Sequence, residues 1–225
     1  MKVRLLSYTK DAEKLCAAAA QSCYSDKPAG ELLEGMKGKN PDRVLENIVG
    51  MGHHSVIEHA TYTFSVEGVS RALTHQLVRH RIASYSQQSQ RYVSMDCADY
   101  VIPPSIEDNA VAEKEFRKLM DSIWEVYRVL SEKVEVEDAR YVLPNASSTN
   151  ITITMNAREL RHFFSLRCCN RAQWEIRLVA DEMLRVVKKV SPSIFRDAGP
   201  PCVRGKCPEG KMSCGNPRRK ELKKV

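Results

Sequence analysis

Long apolar stretches are missing from this 225-residue chain, and none approaches the roughly 20 residues that a membrane-spanning helix needs. The opening Met1-Lys2-Val3-Arg4-Leu5-Leu6 reads as the start of a strand and lacks the extended apolar core of a secretory signal, so a cytoplasmic location is expected. There is no Gly-x-x-x-x-Gly-Lys-Ser/Thr loop, and no Gly-x-Gly-x-x-Gly follows a strand, which leaves P-loop and Rossmann nucleotide binding unsupported. No Ser-His-Asp arrangement announces itself, and no internal repeat is visible.

The most informative absence is local. Residues 68–95 contain no Asp, Glu or Lys, yet they hold four arginines, three of them inside Arg79-His80-Arg81-Ile82-Ala83-Ser84-Tyr85-Ser86-Gln87-Gln88-Ser89-Gln90-Arg91. Arginine offers a planar fork of N–H donors that matches phosphate and carboxylate oxygens in pairs, so this composition points to oriented anion recognition. The serines and glutamines between them suit a heterocycle edge or a ribose.

What is present in bulk fits one globular core with embellishments: 43% hydrophobic and 28% charged residues. The net charge of +7 is concentrated in residues 203–225, where eight Lys/Arg face two Glu and account for six of the seven charges. Nucleic-acid binding by the arginine run and this tail is an alternative reading, but only Tyr85 and Tyr92 lie near the run, too few for a base-stacking surface. Five of the eight cysteines, Cys97 among them, are scattered without ligand spacing and read as small buried residues. Cys202, Cys207 and Cys214 are closer together, and a metal- or redox-linked tail is a third reading, although three ligands without a nearby histidine make an incomplete zinc set.

Periodicity gives a mixed pattern. Val3–Ser7 reads as a strand and Asp11–Cys23 as a helix, and a helix opens at Pro41 with Asn40 as its cap and ends at Gly50-Met51-Gly52. Tyr62, Phe64 and Val66 alternate with polar residues as a strand with one buried face, Ser70 caps a helix that delivers the arginine run, and residues 107–133 read as one long amphipathic helix. A short helix over residues 138–143 stops at Pro144, and a β-rich Ile151–Met155 follows. Asn156 and Glu159 form a capping-box pattern that starts a helix to about Cys168, and a last helix runs from Ala172 to Lys189 until Pro192 breaks it. Strands and helices without regular βαβ alternation predict an α+β fold.

Several residues invite chemistry. Arg167 falls on the apolar stripe of Leu160, Phe163 and Phe164, where a cation needs an anion or a set of acceptors; an ion pair and a snorkelling side chain are the structural alternatives. Gly52-His53-His54-Ser55-Val56-Ile57-Glu58-His59 groups three histidines with a glutamate, but the spacing is not His-Glu-x-x-His, and capping by Ser55 is the preferred reading over a metal. Ser89 has arginines and amides around it and no evident base, so it reads as a positioning hydroxyl and not as a nucleophile.

Arg79-His80-Arg81, seven residues, then Ser89 resembles the RHR-x7-S signature of the flavin-dependent thymidylate synthases. Gly52-His53, Glu58-His59, Ser89-Gln90-Arg91-Tyr92, Asp138-Ala139-Arg140, Asn156-Ala157-Arg158 and Arg167 with Ala172-Gln173-Trp174-Glu175 follow in family order over about residues 1–200. The resemblance implies an α+β fold with a mainly antiparallel sheet, a homotetramer with shared active sites, and a catalytic domain at 1–202 followed by the basic cysteine-containing tail 203–225. It implies reductive methylation of dUMP to dTMP, with FAD as redox cofactor, NADPH as reductant and 5,10-methylenetetrahydrofolate as one-carbon donor, and no metal, nucleic acid or membrane.

Carried over by position, Ser55, Arg79, His80, Arg81, Gln87, Asn156, Arg158 and His162 would contact FAD. Gln76, Arg79, Gln87, Ser89, Arg91, Arg140 and Arg167 would hold dUMP, with backbone donors of the Gln87-Gln88-Ser89-Gln90-Arg91 loop on its phosphate. His53 would lie near flavin or folate. Arg167 would be the catalytic residue, stabilising negative charge that develops on the uracil ring. Arg171 stands where a histidine can serve the flavin site in this family.

Overall fold

The computed structural model describes residues 1–94 and 99–218. Met95, the last residue of the acid-free run, Cys97, and the basic residues Arg219, Lys220, Lys223 and Lys224 lie outside the described residues. Strand β1 spans Lys2–Tyr8, followed by helices α1 (Ala12–Ser22), α2 (Ala29–Glu34) and α3 (Asp42–Gly50). A 3-10 turn at His54–His59 leads into β2 (Thr61–Ser70), α4 (Arg71–Leu77) and β3 (Ala83–Gln87). Helices α5 (Pro104–Glu107), α6 (Ala110–Ser131) and α7 (Val136–Ala139) precede β4 (Ser148–Asn156), which runs directly into α8 (Ala157–Arg167). Helices α9 (Trp174–Val190) and α10 (Pro192–Phe195) follow. The strands pair antiparallel in the order β1-β2-β4-β3, so the expected α+β class holds.

Two compact units divide the chain. One comprises Met1–Lys2, Val66–Arg79 and Ser86–Ile151; the other comprises Val3–Ser65, His80–Tyr85 and Thr152–Val225. In the first, Tyr127 and Ala139 pack with Leu130, Val142 and Leu143 where the amphipathic face of α6 meets α7. Asn109 caps α6 by accepting from the N–H groups of Val111 and Ala112, so the expected long amphipathic helix is present as one helix that starts at Ala110, with the short α5 ahead of it. In the second unit, Tyr62 and Phe64 of β2, Phe163 and Phe164 of α8, Met183 of α9 and Phe195 of α10 are all fully buried. The hydroxyl of Tyr62 donates to Ser191 Oγ at 2.7 Å, so its one polar atom enters the core satisfied. Pro192 does end α9, but it also occupies the first turn of α10, where its fixed φ and missing N–H cost nothing.

Two smaller differences have local causes. Asn40 does not cap α3 directly; its Oδ1 accepts from the Asp42 N–H at 2.9 Å, and Pro41 takes the cap position. Strand β3 lies inside the arginine run, where Ser84 and Ser86 are exposed between half-buried Ala83, Tyr85 and Gln87. Its alternation is of small and polar residues and carries little hydrophobic signal.

Candidate active site

In the second unit the site is built on α8. Asn156 starts this helix, its Oδ1 accepting from the Glu159 N–H at 2.9 Å. In a capping box the glutamate would reach back to the cap's own N–H. Glu159 instead turns inward, and its Oε1 accepts from His80 Nδ1 at 3.1 Å, with both side chains buried. Two turns further along the helix, Arg167 Nε donates to His80 Nε2 at 3.1 Å. An acceptor role at Nε2 requires the neutral Nδ1–H tautomer, the one that donates to Glu159.

The imidazole is enclosed edge-on by Phe163, with centroids 4.9 Å apart, and by His162 at 5.8 Å. Burial is the largest influence on His80 and lowers its pKa; the Glu159 contact works against this, and the Arg167 charge reinforces it. Burial also lowers the Arg167 pKa, but a guanidinium starts so high that it stays charged at neutral pH. The result is a half-buried cation whose plane is fixed through its Nε.

The neighbouring arginines divide by face. Arg158 is exposed on α8 and pairs with Glu58. Arg161, which sequence pattern did not single out, is buried and donates to the Ile194 carbonyl at 2.7 Å and to Asp197 at 2.8 Å, a structural ion pair. Arg81 is exposed, and no carboxylate pairs with it or with Arg79 among the described residues. His53 and Ser55 are exposed around the 3-10 turn; His53 is its cap residue, and Ser55 makes no capping bond. Arg171 is held by Glu209 at 3.1 Å and by the Met212 carbonyl at 2.7 Å, so the tail supplies its partners.

The first unit carries a second polar cluster around residues 87–91. The Gln88 N–H donates to the Asn150 carbonyl at 2.9 Å, and Asn150 Nδ2 donates back to Gln88 Oε1 at 3.2 Å. Gln87 Nε2 reaches Thr74 Oγ1 at 3.1 Å. Ser89 Oγ accepts from the Arg91 N–H at 3.1 Å, which makes it a turn element; among the described residues no histidine or carboxylate bonds to it. Arg91 pairs with Glu137 at 2.7 Å and lies 5.4 Å from the Tyr92 ring centroid, while Arg140 Nε donates to the Glu137 carbonyl at 3.0 Å. Gln76 is half-buried on α4, one turn before Arg79.

Arg71 belongs to none of the residue sets that the sequence resemblance implies. Its Nη2 donates to the Gln88 carbonyl at 2.9 Å, but its Nε is buried without a hydrogen-bond partner. Burial lowers its pKa, and the nearby charge of Arg140 lowers it further. A buried unsatisfied N–H on a cation beside a second cation leaves a donor that an anion would satisfy. Its signal in the sequence is membership of the acid-free run, where it is the first of the four arginines.

Among the described residues, His80, Glu159 and His162 bring potential metal-ligand atoms within 4.8 Å of one another. Both His80 nitrogens are already committed, and Arg167 stands at one of them, which disfavours a second cation. Among the described residues, the cluster at His53, His54, Glu58 and His59 does not form such a grouping, nor do Cys202, Cys207 and Cys214.

A family model described as "Thymidylate synthase complementing protein" matches residues 4–193. A flavin-dependent thymidylate synthase of Geobacter sulfurreducens is 54% identical over 96% of this chain and 94% of its own length. One of Clostridium tetani is 49% identical over 100% and 96%. The solved structure of a UMP/dUMP methylase, PolB, from Streptomyces cacaoi bound with 5-Br dUMP shares the fold, with a TM-score of 0.76 at 24% identity over 87% of this chain and 93% of that one. The family match and these identities place the chain in a class of flavin-dependent synthases. Within it, the chain belongs to the flavin-dependent thymidylate synthase family.

Proposed function

We propose that this protein methylates dUMP reductively to dTMP, with FAD as the flavin, NADPH as reductant and 5,10-methylenetetrahydrofolate as one-carbon donor, in a cytoplasmic homotetramer. The observation that carries the reading is the preorganised Arg167, a half-buried guanidinium anchored on a neutral histidine. Uracil C5 must act as a nucleophile toward a one-carbon electrophile. With Ser89 Oγ engaged in a turn and no base bonded to it among the described residues, activation falls to charge stabilisation at the ring, and Arg167 is the group assigned to it.

The arginines fit an anionic dinucleotide: Arg79 and Arg81 lack carboxylate partners among the described residues. Ser55, Arg79, His80, Arg81, Gln87, Asn156, Arg158 and His162 are assigned to FAD, and His53 to the flavin or folate. Bound FAD supplies the redox chemistry, while these residues bind and orient it. Because the imidazole nitrogens of His80 are engaged within the protein, its contribution through the side chain is to position Arg167.

Gln76, Arg79, Gln87, Gln88, Ser89, Gln90, Arg91, Arg140 and Arg167 are assigned to dUMP. Arg71 joins the anion-binding members of that set. Residues 1–202 form the catalytic domain in this reading, and 203–225 a tail that supports Arg171. The test is product analysis: purified enzyme with bound flavin, supplied with the three substrates, yields dTMP. Flavin-loaded enzyme that leaves dUMP unchanged refutes the proposal.

A further inference from the structure

We propose that Glu159 is a positioning residue for dUMP methylation, acting through His80 to set the orientation of Arg167. The inference rests on Arg167 being the group that faces the uracil.

A carboxylate as buried as Glu159 carries a large desolvation cost that a helix cap alone does not demand. Asn156 already caps α8 through the Glu159 N–H, so the side chain is spare for capping and is spent on His80. Its acceptance of the Nδ1 proton leaves the Nε2 lone pair directed at Arg167 Nε, 3.1 Å away. Without the carboxylate the imidazole is free to hold its proton on Nε2, which would set two donors against each other and release the guanidinium plane. Tautomer control of a histidine by a buried carboxylate is a familiar device in acyl transfer, and here it orients a cation instead of a nucleophile.

The charged and titratable groups facing His80 are Glu159, His162 and Arg167 on α8; from β3, Tyr85 donates its hydroxyl to the His80 carbonyl at 2.8 Å. The Glu159 contact favours protonation of His80, whereas burial and Arg167 oppose it. Protonation of Nε2 at low pH breaks the bond to Arg167, so His80 shapes the acid limb of the activity profile.

The experiment compares Glu159→Leu, Glu159→Gln and Arg167→Ala as flavin-loaded enzymes. Glu159→Leu is expected to lower kcat by about 10- to 100-fold, the cost of a misplaced catalytic group, with flavin occupancy and the KM for dUMP little changed. Glu159→Gln is expected to recover most of that loss, because its amide oxygen still accepts from Nδ1–H, and to move the acid limb to lower pH. Wild-type kcat in Glu159→Leu, or a loss explained wholly by lost flavin, overturns the proposal. Should Glu159→Leu fail to fold, an unshifted acid limb in Glu159→Gln overturns it. Undiminished turnover in Arg167→Ala would instead show that the assignment of Arg167 is at fault.

Discussion

Replacing Arg71 by methionine keeps most of the side-chain stem and removes the charge. In the unliganded protein the exchange is close to balanced. The hydrogen bond to the Gln88 carbonyl is lost, worth about 1.5–3 kcal/mol for a charged donor, but a cation with a buried, unsatisfied Nε beside Arg140 is also removed. Melting temperature should therefore change by only a few degrees. The cost should appear on binding. If Arg71 meets the phosphate of dUMP, losing one charge-assisted contact of about 2 kcal/mol weakens the affinity by roughly 30-fold. Titration calorimetry on flavin-loaded enzyme with dUMP and with deoxyuridine isolates the phosphate, because only dUMP carries it. The variant should bind deoxyuridine as the wild type does and bind dUMP about 30-fold more weakly. An equal loss for both ligands would show that Arg71 merely shapes the 87–91 loop, and no loss for either would refute the anion site.

Three further outcomes follow from particular contacts. Arg167→Ala should reduce turnover far more than Ser89→Ala, measured as dTMP formed per flavin; equal and complete loss would restore Ser89 as a nucleophile. His80 has a pKa below its ordinary value, so between the two values the unfolded chain binds more protons than the folded one. Its contribution to stability is then present above about pH 6.5 and lost as pH falls through the folded-state pKa, and His80→Gln should flatten the decline in melting temperature over that window. Phe164→Ala, at a fully buried position against Phe163 and Phe195, should cost about 3–5 kcal/mol in urea denaturation.

Much of this architecture is legible in the sequence because it rests on local chemistry. The alternation of Tyr62, Phe64 and Val66 encodes the buried face of β2, and Ser70 and Asn156 mark helix starts through caps that form as expected, to Leu73 and Glu159. Strand β3 was hidden because its alternation is polar. The acid-free run is also less bare in space than along the chain: Glu137 pairs with Arg91, and Glu159 meets His80 from 79 residues away. Those partners leave no trace in local composition. Glu159 reads in sequence as half of a capping box, and only its inward turn shows that the pattern serves another purpose. Arg167 stood out for falling on an apolar stripe, but its acceptor is a histidine from the arginine motif itself, a long-range pairing that periodicity cannot reveal.

The central claim is that this chain couples oxidation of NADPH-reduced flavin to methylation of a uracil ring that no protein nucleophile activates. Its most direct test is anaerobic: reduce the flavin-loaded enzyme with NADPH, then add dUMP and 5,10-methylenetetrahydrofolate, and follow the flavin spectrum and the nucleotide product together. Flavin reoxidation without oxygen, matched mole for mole by dTMP, is the predicted result. Flavin that stays reduced while dUMP persists would contradict the account.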